Sequence, residues 1–219
     1  MQTRGDIYNE LRSYLAKIVN PTIFEVGCHQ GEDSHIIFNN CRGLVDYYAF
    51  EPLPANVVAI KSKLHIPPNI HFVLSELAIS DKVGKAVFNV SGGTHPNGLE
   101  NTMAGSLRNP KNVKTSFPFI DFNQTIEVKT TTIDEFSKNN AVVKIDFIWC
   151  DIQGCEYDML VGAKDMLPNI GMMLLEYSDN ELYEGEKGSS DIMALLGQNW
   201  VIVVKTEEDI LVKNINYGQ

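Results

Sequence analysis

A chain of 219 residues with 44% apolar content can bury one sizeable core, and its length suits a single α/β domain over residues 1–219. Its 28 acids against 18 bases give a net charge of -10, and the lysines (Lys61, Lys63, Lys82, Lys85, Lys111, Lys114) are scattered instead of forming a stripe, which argues against a nucleic-acid partner. No apolar run approaches the roughly 20 residues that cross a bilayer, and residues 1–6 lack the basic-then-apolar layout of a secretion signal, so a cytoplasmic protein without membrane contact is expected.

Ile7, Leu11, Tyr14, Leu15 and Ile18 recur at helical spacing and predict an amphipathic N-terminal helix within residues 1–20, terminated by Pro21. Short apolar runs follow at 22–26, 45–50, 70–74, 145–150, 172–177 and 200–205, separated by helical patterns. That alternation predicts βαβ units and a parallel sheet. Between the third and fourth runs the rhythm breaks for about 70 residues. Here residues 85–131 read as an insertion: 85–90 and 126–131 alternate like extra strands, while 91–124 carries Gly92-Gly93, Asn97-Gly98 and Asn109-Pro110, the composition of a long loop. An irregular segment of this length in a compact domain is expected to be a lid over a substrate. Thr132-Ile133-Asp134-Glu135 then has the form of a capping box and starts a short helix through Phe136. Cys28, Cys41, Cys150 and Cys155 form no Cys-x-x-Cys pair and read as reduced thiols.

The chemistry gathers at strand ends. Glu25 lies two residues before Gly27, Gly31 follows, and Glu51 closes the next run in Tyr48-Ala49-Phe50-Glu51-Pro52. Two adenosine cofactors compete for such an arrangement. A dinucleotide fold wants G-x-G-x-x-G, so that the backbone can approach a pyrophosphate. Counted from Gly27, the second and third glycine positions hold His29 and Glu32, and Glu32 with Asp33 would set two carboxylates where a pyrophosphate needs bare N–H groups. S-adenosylmethionine carries no phosphate, and its ammonium and ribose diol welcome acids. In that reading Glu25 meets the ammonium, and Gly27 and Gly31 let the loop, with Cys28 and His29, pass close to the methionine portion. Glu51, beside Pro52, accepts both ribose hydroxyls on two coplanar oxygens, while Glu76 takes the adenine amine and Leu77 packs on its ring.

Taken in order, Glu25-x-Gly27-x-x-x-Gly31, Tyr48-Ala49-Phe50-Glu51-Pro52, Leu77-Ala78-Ile79-Ser80-Asp81-Lys82-x-Gly84, Thr131-Thr132-Ile133-Asp134-Glu135-Phe136 and Ile145-Asp146-Phe147-Ile148-x-x-Asp151-Ile152-x-Gly154-x-Glu156 resemble the motifs of FkbM-family methyltransferases, over residues 22 to about 178. The resemblance implies an α/β, Rossmann-like class I methyltransferase: a mostly parallel seven-stranded sheet with helices on both faces, S-adenosyl-L-methionine as donor, and O-methylation of a hydroxyl on a sugar, glycan or secondary metabolite. The chain departs from the family's usual Asp at Glu25, from its Lys at Trp149 and from its Glu-Gly-Ala-Glu at Gln153-Gly154-Cys155-Glu156.

Methyl transfer from a sulfonium is an in-line displacement, so a catalyst aligns the nucleophile and receives its proton. Asp151, closing the fourth run, is the expected catalytic residue, with Glu176 at the end of the fifth and His29 in the cofactor loop as further candidates. His95, in the insertion, is a second histidine able to act as base, and Glu156 begins the helix after Asp151. Asp151, Glu176 and Asp179 together would make an oxygen-rich site for Mg²⁺. Two other readings stand beside this one: a nicotinamide-dependent oxidoreductase on a similar sheet, and a methyltransferase-like module that binds without chemistry.

Overall fold

A computed structural model describes residues 2–94, 98 and 102–218. The strands among them are β1 (Thr22–Val26), β2 (Val45–Phe50), β3 (Ile70–Ser75), β4 (Ala78–Ile79), β5 (Gly84–Gly92), β6 (Asp121–Thr131), β7 (Ile145–Cys150), β8 (Ile170–Glu176), β9 (Trp200–Lys205) and β10 (Asp209–Asn214). The helices are α1 (Arg4–Leu15), α2 (Ser34–Phe38), α3 (Pro54–Lys63), α4 (Val113–Ser116), α5 (Ile133–Asn139), α6 (Glu156–Val161) and α7 (Ser189–Leu196). Seven strands form one sheet in the order β3-β2-β1-β7-β8-β10-β9, parallel except for β10, which is antiparallel to both neighbours. A second sheet, β4-β6-β5, is built mainly from the antiparallel pair β5 and β6. Among the described residues no helix is long and apolar enough to cross a membrane.

Side chains alternate across a strand, so β1 sends Ile23 to one face and Phe24 and Val26 to the other. On the Ile23 face, Tyr47, Phe147, Trp149 and Leu174 pack under Ile7, Leu11 and Leu15 of α1, Ile37 and Phe38 of α2, and Ile60 of α3. On the opposite face, Phe24, Val26, Phe50, Ile148 and Met173 meet Ile133 and Phe136 of α5, Met159 and Leu160 of α6, and Ile192 of α7. Every residue of β7 is buried, as expected for a central strand covered on both sides. Its one acid, Asp146, is tolerated there because its carboxylate accepts from the Thr22 N–H (2.8 Å), the Tyr217 hydroxyl (2.7 Å) and the Lys144 ammonium (3.0 Å).

Three segments differ from the sequence-based expectation. α1 ends at Leu15, well short of Pro21: the Lys17 and Ile18 N–H groups donate three residues back, to Tyr14 O and Leu15 O, and Asn20, with a positive φ of 57° and its side-chain oxygen accepting from the Leu44 N–H, then turns the chain toward β1. The stretch 91–124 holds regular structure at both ends and in the middle: β5 reaches Gly92, α4 follows at Val113–Ser116, and β6 starts at Asp121. β10 carries no run of its own in the reading of the apolar pattern, since Thr206-Glu207-Glu208 between it and β9 lacks the glycine or proline that announces a hairpin. Thr206 supplies the turn instead, its N–H donating to Asp209 O at 2.9 Å while its hydroxyl accepts from the Asp209 N–H. Of the expected capping box only the N-cap half forms: the Glu135 N–H donates to Thr132 Oγ1 at 3.0 Å, while the Glu135 carboxylate accepts from Asn139 Nδ2 instead of reaching back.

The ring of Phe24 packs edge-on against Phe136 (centroids 5.6 Å apart) and at a tilt against Phe50 (5.4 Å), joining β1, β2 and α5. Phe24→Ala should therefore destabilise the domain by about 3–5 kcal/mol, read as a lowered midpoint in urea unfolding with an unchanged slope.

Candidate active site

Strand register assembles the site. Phe50 pairs with both Val26 and Ser75, Val26 with Cys150, and Cys150 with Leu175. The residues that follow, Glu76, Glu51, Gly27, Asp151 and Glu176, therefore stand in one row along the carboxyl edge of the sheet, where open α/β sheets hold their ligands. Gly27 sits in the middle of that row with φ +84°, and a Cβ there would collide with the Asp151 backbone carbonyl, so only glycine lets the two strand ends lie this close.

On the β1–β2–β3 side the row borders a cavity. Its walls are largely apolar (Val26, Phe50, Leu77, Ile79, Phe88, Ile152), with Glu51, Pro52, His29 and Asn56 among them, and residues 102–107 of the insertion cover it through Thr102, Met103, Gly105 and Leu107. Glu51 is only 5% exposed, its Oε1 accepts from the Leu53 N–H at 2.8 Å, and burial pushes its carboxyl up to about 7. His29 takes a positive φ of 46°; its Nδ1 lies 3.0 Å from Glu32 Oε1 and its Nε2 2.7 Å from Thr102 Oγ1, so the ring ties the cofactor loop to the insertion.

A second, larger cavity, partly open to solvent, lies beyond Met103, Asp151 and Gln153, which line both. Phe117, Phe119, Tyr177 and Tyr183 contribute rings to it, and Asp179, Glu186, Glu207 and Glu208 contribute acids; Arg4 is the sole cation lining it among the described residues. Behind Leu182, which lines it, two distant segments are joined: the Lys111 N–H donates to Leu182 O (2.8 Å), Arg108 Nη1 to Glu184 O (2.8 Å) and Asn109 Nδ2 to Glu184 Oε2 (3.0 Å). At the shared wall, Gln153 Nε2 donates to Asp151 Oδ1 (2.7 Å) and to Glu176 Oε2 (2.6 Å). Burial, and then the neighbouring Asp151, raise the Glu176 carboxyl well above the usual carboxylate range. Glu156, also buried, accepts from the Ile152 N–H (2.9 Å) and is pushed up by burial to about 8.

A family model described as the methyltransferase FkbM domain matches residues 25–202. The chain belongs to the FkbM methyltransferase family. It is 32% identical over 212 residues to a protein of Sinorhizobium fredii (strain NBRC 101917 / NGR234) named 2-O-methyltransferase NoeI, an alignment covering 95% of this chain and 85% of that one. Among solved structures it resembles a putative rRNA methylase from Clostridium thermocellum (TM-score 0.52, 9% identity, 100% of this chain and 98% of the other) and an rRNA methylase from Streptococcus thermophilus (TM-score 0.51, 9% identity, 98% of each). At such low identity these two likenesses speak for the fold alone.

In this FkbM enzyme, Gly27, His29, Glu51, Pro52, Leu77 and Asp151 line the smaller cavity and Glu176 the larger. Four residues expected at the cofactor lie elsewhere. Glu25 is one residue out of phase with Val26, so it points into the opposite layer, where its Oε2 accepts from the Ser34 hydroxyl (2.6 Å) and the Tyr47 hydroxyl (2.8 Å). It anchors α2 to β2 there. Glu76 pairs with Lys61 at 2.8 Å on the surface, Cys28 is buried in the core under α1 and α2, and Gly31 packs against Leu64. The oxygen-rich Mg²⁺ set also differs from expectation. Asp179 turns its carboxylate to the Ser189 N–H at the start of α7, and the Gln153 amide stands between Asp151 and Glu176, so hydrogen-bond donors face the oxygens that a cation would need. His95 lies outside the described residues. Gln153, Thr102, Met103 and Tyr183 were not legible as site residues, because they sit in loops without periodicity and are brought in by tertiary contacts.

Burial raises the Glu25 carboxyl from 4.5 to about 7. A raised acid binds its proton more tightly folded than unfolded, so its stabilising share is full below about 4.5 and is lost as pH rises toward about 7. Glu25→Gln, whose amide oxygen still accepts from Ser34 and Tyr47, should flatten the fall in melting temperature across that window relative to wild type.

Proposed function

We propose that this FkbM enzyme is an S-adenosylmethionine-dependent O-methyltransferase that acts on a hydroxyl of a sugar, glycan or secondary metabolite. The observation that carries this reading is Glu51: a buried carboxylate at the end of β2, in an otherwise mostly apolar cavity, calls for paired donors such as a ribose diol. Leu77, Ile79 and Phe88 offer an apolar slot for an adenine, and the close approach at Gly27 leaves backbone room for the methionine portion. The 2-O-methyltransferase relative supports oxygen as the atom methylated. When bound, S-adenosylmethionine supplies a methyl group to the acceptor's oxygen, the sulfur keeping the electron pair of the broken S–C bond.

In this reading the larger cavity takes the acceptor. Phe117, Tyr177 and Tyr183 give flat apolar surfaces for sugar rings, and the acidic lining with one arginine selects neutral over anionic acceptors, nucleic acid included. Asp151, at the wall between the cavities, receives the hydroxyl proton. His29, with both ring nitrogens bonded, holds the 102–107 segment in place as the covering lid. Four free cysteines suit a reducing, cytoplasmic setting.

Calorimetry with S-adenosylhomocysteine tests the assignment. Glu51→Ala should weaken binding about 100-fold, ~2.7 kcal/mol, the worth of two hydrogen bonds to a charged group; unchanged affinity would remove Glu51 from the cofactor site. NAD should leave the wild-type melting temperature where it was, and a rise comparable to that given by S-adenosylhomocysteine would return the chain to the oxidoreductases.

A further inference from the structure

Asp151, Glu156 and Glu176 bring carboxyl oxygens within 4.8 Å of one another at the ends of β7 and β8. Packed acids of this kind are stabilised in one of three ways: by bound protons, by a cation, or by donors aimed at them. This chain supplies donors, while burial and the neighbouring Asp151 also make Glu176 hold its proton more tightly. Gln153 presents one amide nitrogen to both Asp151 (2.7 Å) and Glu176 (2.6 Å), using both of its N–H bonds, while its Oε1 lies 3.0 Å from the Tyr183 hydroxyl. The amide nitrogen faces the carboxyl groups, which offer it acceptors, and this leaves Oε1 to the Tyr183 hydroxyl, whose single hydrogen is shared with Ala104 O.

The surroundings hold the amide there. Gln153 adopts φ +53°, a conformation that costs a side-chain-bearing residue roughly 1 kcal/mol or more, and its carbonyl accepts from Ser106 Oγ at 2.7 Å. Tyr183 is buried, and its hydroxyl is shared between Gln153 Oε1 and Ala104 O (2.8 Å). Three separate segments thus converge on one side chain that lines both cavities.

We propose that Gln153 is a positioning residue whose amide bridges Asp151 and Glu176 on the wall between the two cavities and takes the place that a divalent cation would otherwise fill. The proposal rests on the methyltransferase reading of the site, in which Asp151 faces the acceptor hydroxyl. It makes the acid pair self-sufficient. A neutral amide fixes the direction of both carboxyl groups without the charge, hydration or exchange of a metal ion.

The test reads the amide itself. In ¹⁵N-labelled protein, the Gln153 side-chain pair, assigned by its loss in Gln153→Met, should show both protons shifted downfield and protected from solvent exchange. Asp151→Ala should move one proton back and Glu176→Ala the other. Freely exchanging protons in the wild type would overturn the bridge, and that measurement needs neither alanine variant to fold. Thermal unfolding with Mg²⁺ alone tests the second half: the wild type should not shift, whereas Gln153→Glu should gain melting temperature on adding the ion. A wild type stabilised by Mg²⁺, or a Gln153→Glu variant indifferent to it, would overturn the substitution for a cation. Neither measurement involves the cofactor, so S-adenosylhomocysteine binding by the wild type reports separately on the function.

Discussion

Parallel strands that end in register place their next residues side by side, and this constraint organises the chemistry of the molecule. Once Phe50, Val26, Cys150 and Leu175 are paired across β2, β1, β7 and β8, the residues after them have no freedom to choose neighbours. Glu51 must border the cavity on one side of Gly27, and Asp151 and Glu176 must stand together on the other. The glycine between them is what allows β1 and β7 to finish at the same level, because any side chain there would meet the Asp151 carbonyl.

The same edge explains the electrostatics. A chain of net charge -10 has placed several acids where water is scarce, and the acids respond by holding protons more tightly: Glu25 and Glu51 up to about 7, Glu156 to about 8, and Glu176 well above the usual carboxylate range. They are not interchangeable. Glu25 is saturated by two hydroxyl donors within the core, Glu51 faces a cavity, and Glu176 leans on an amide. Position relative to the sheet, one residue earlier or later, separates a structural acid from one available to a ligand.

That one-residue difference marks how far the sequence could be read. Apolar runs located six of the seven strands in the main sheet, and the FkbM motifs supplied the architecture, because both are local patterns. Glu51 and Asp151 were legible as cavity-lining residues because each follows directly from a strand end, and Leu77 because it lies two residues beyond one. Glu25 was not, since its motif says that it precedes a glycine turn but not which face its position in the alternation selects. Gln153 showed only as a departure from the family's acid, and Tyr183 and Thr102 carried no signal at all; their meaning arises only when segments far apart in the chain meet. β10 was hidden for a related reason, its turn being made by a threonine side chain instead of a glycine.

The bonds between residues 108–111 and 182–184 have an implication for how such enzymes diversify. The two segments are separated by about seventy positions of chain, including all of β6, α5, β7 and α6, yet they are bonded to each other beside the larger cavity, which Leu182 and Tyr183 line. Neither can be recast alone without stranding polar groups on the other. In the proposed reading, where the larger cavity takes the acceptor, a change in one segment calls for a matching change in the other, while the Glu51 side of the sheet edge is left as it is.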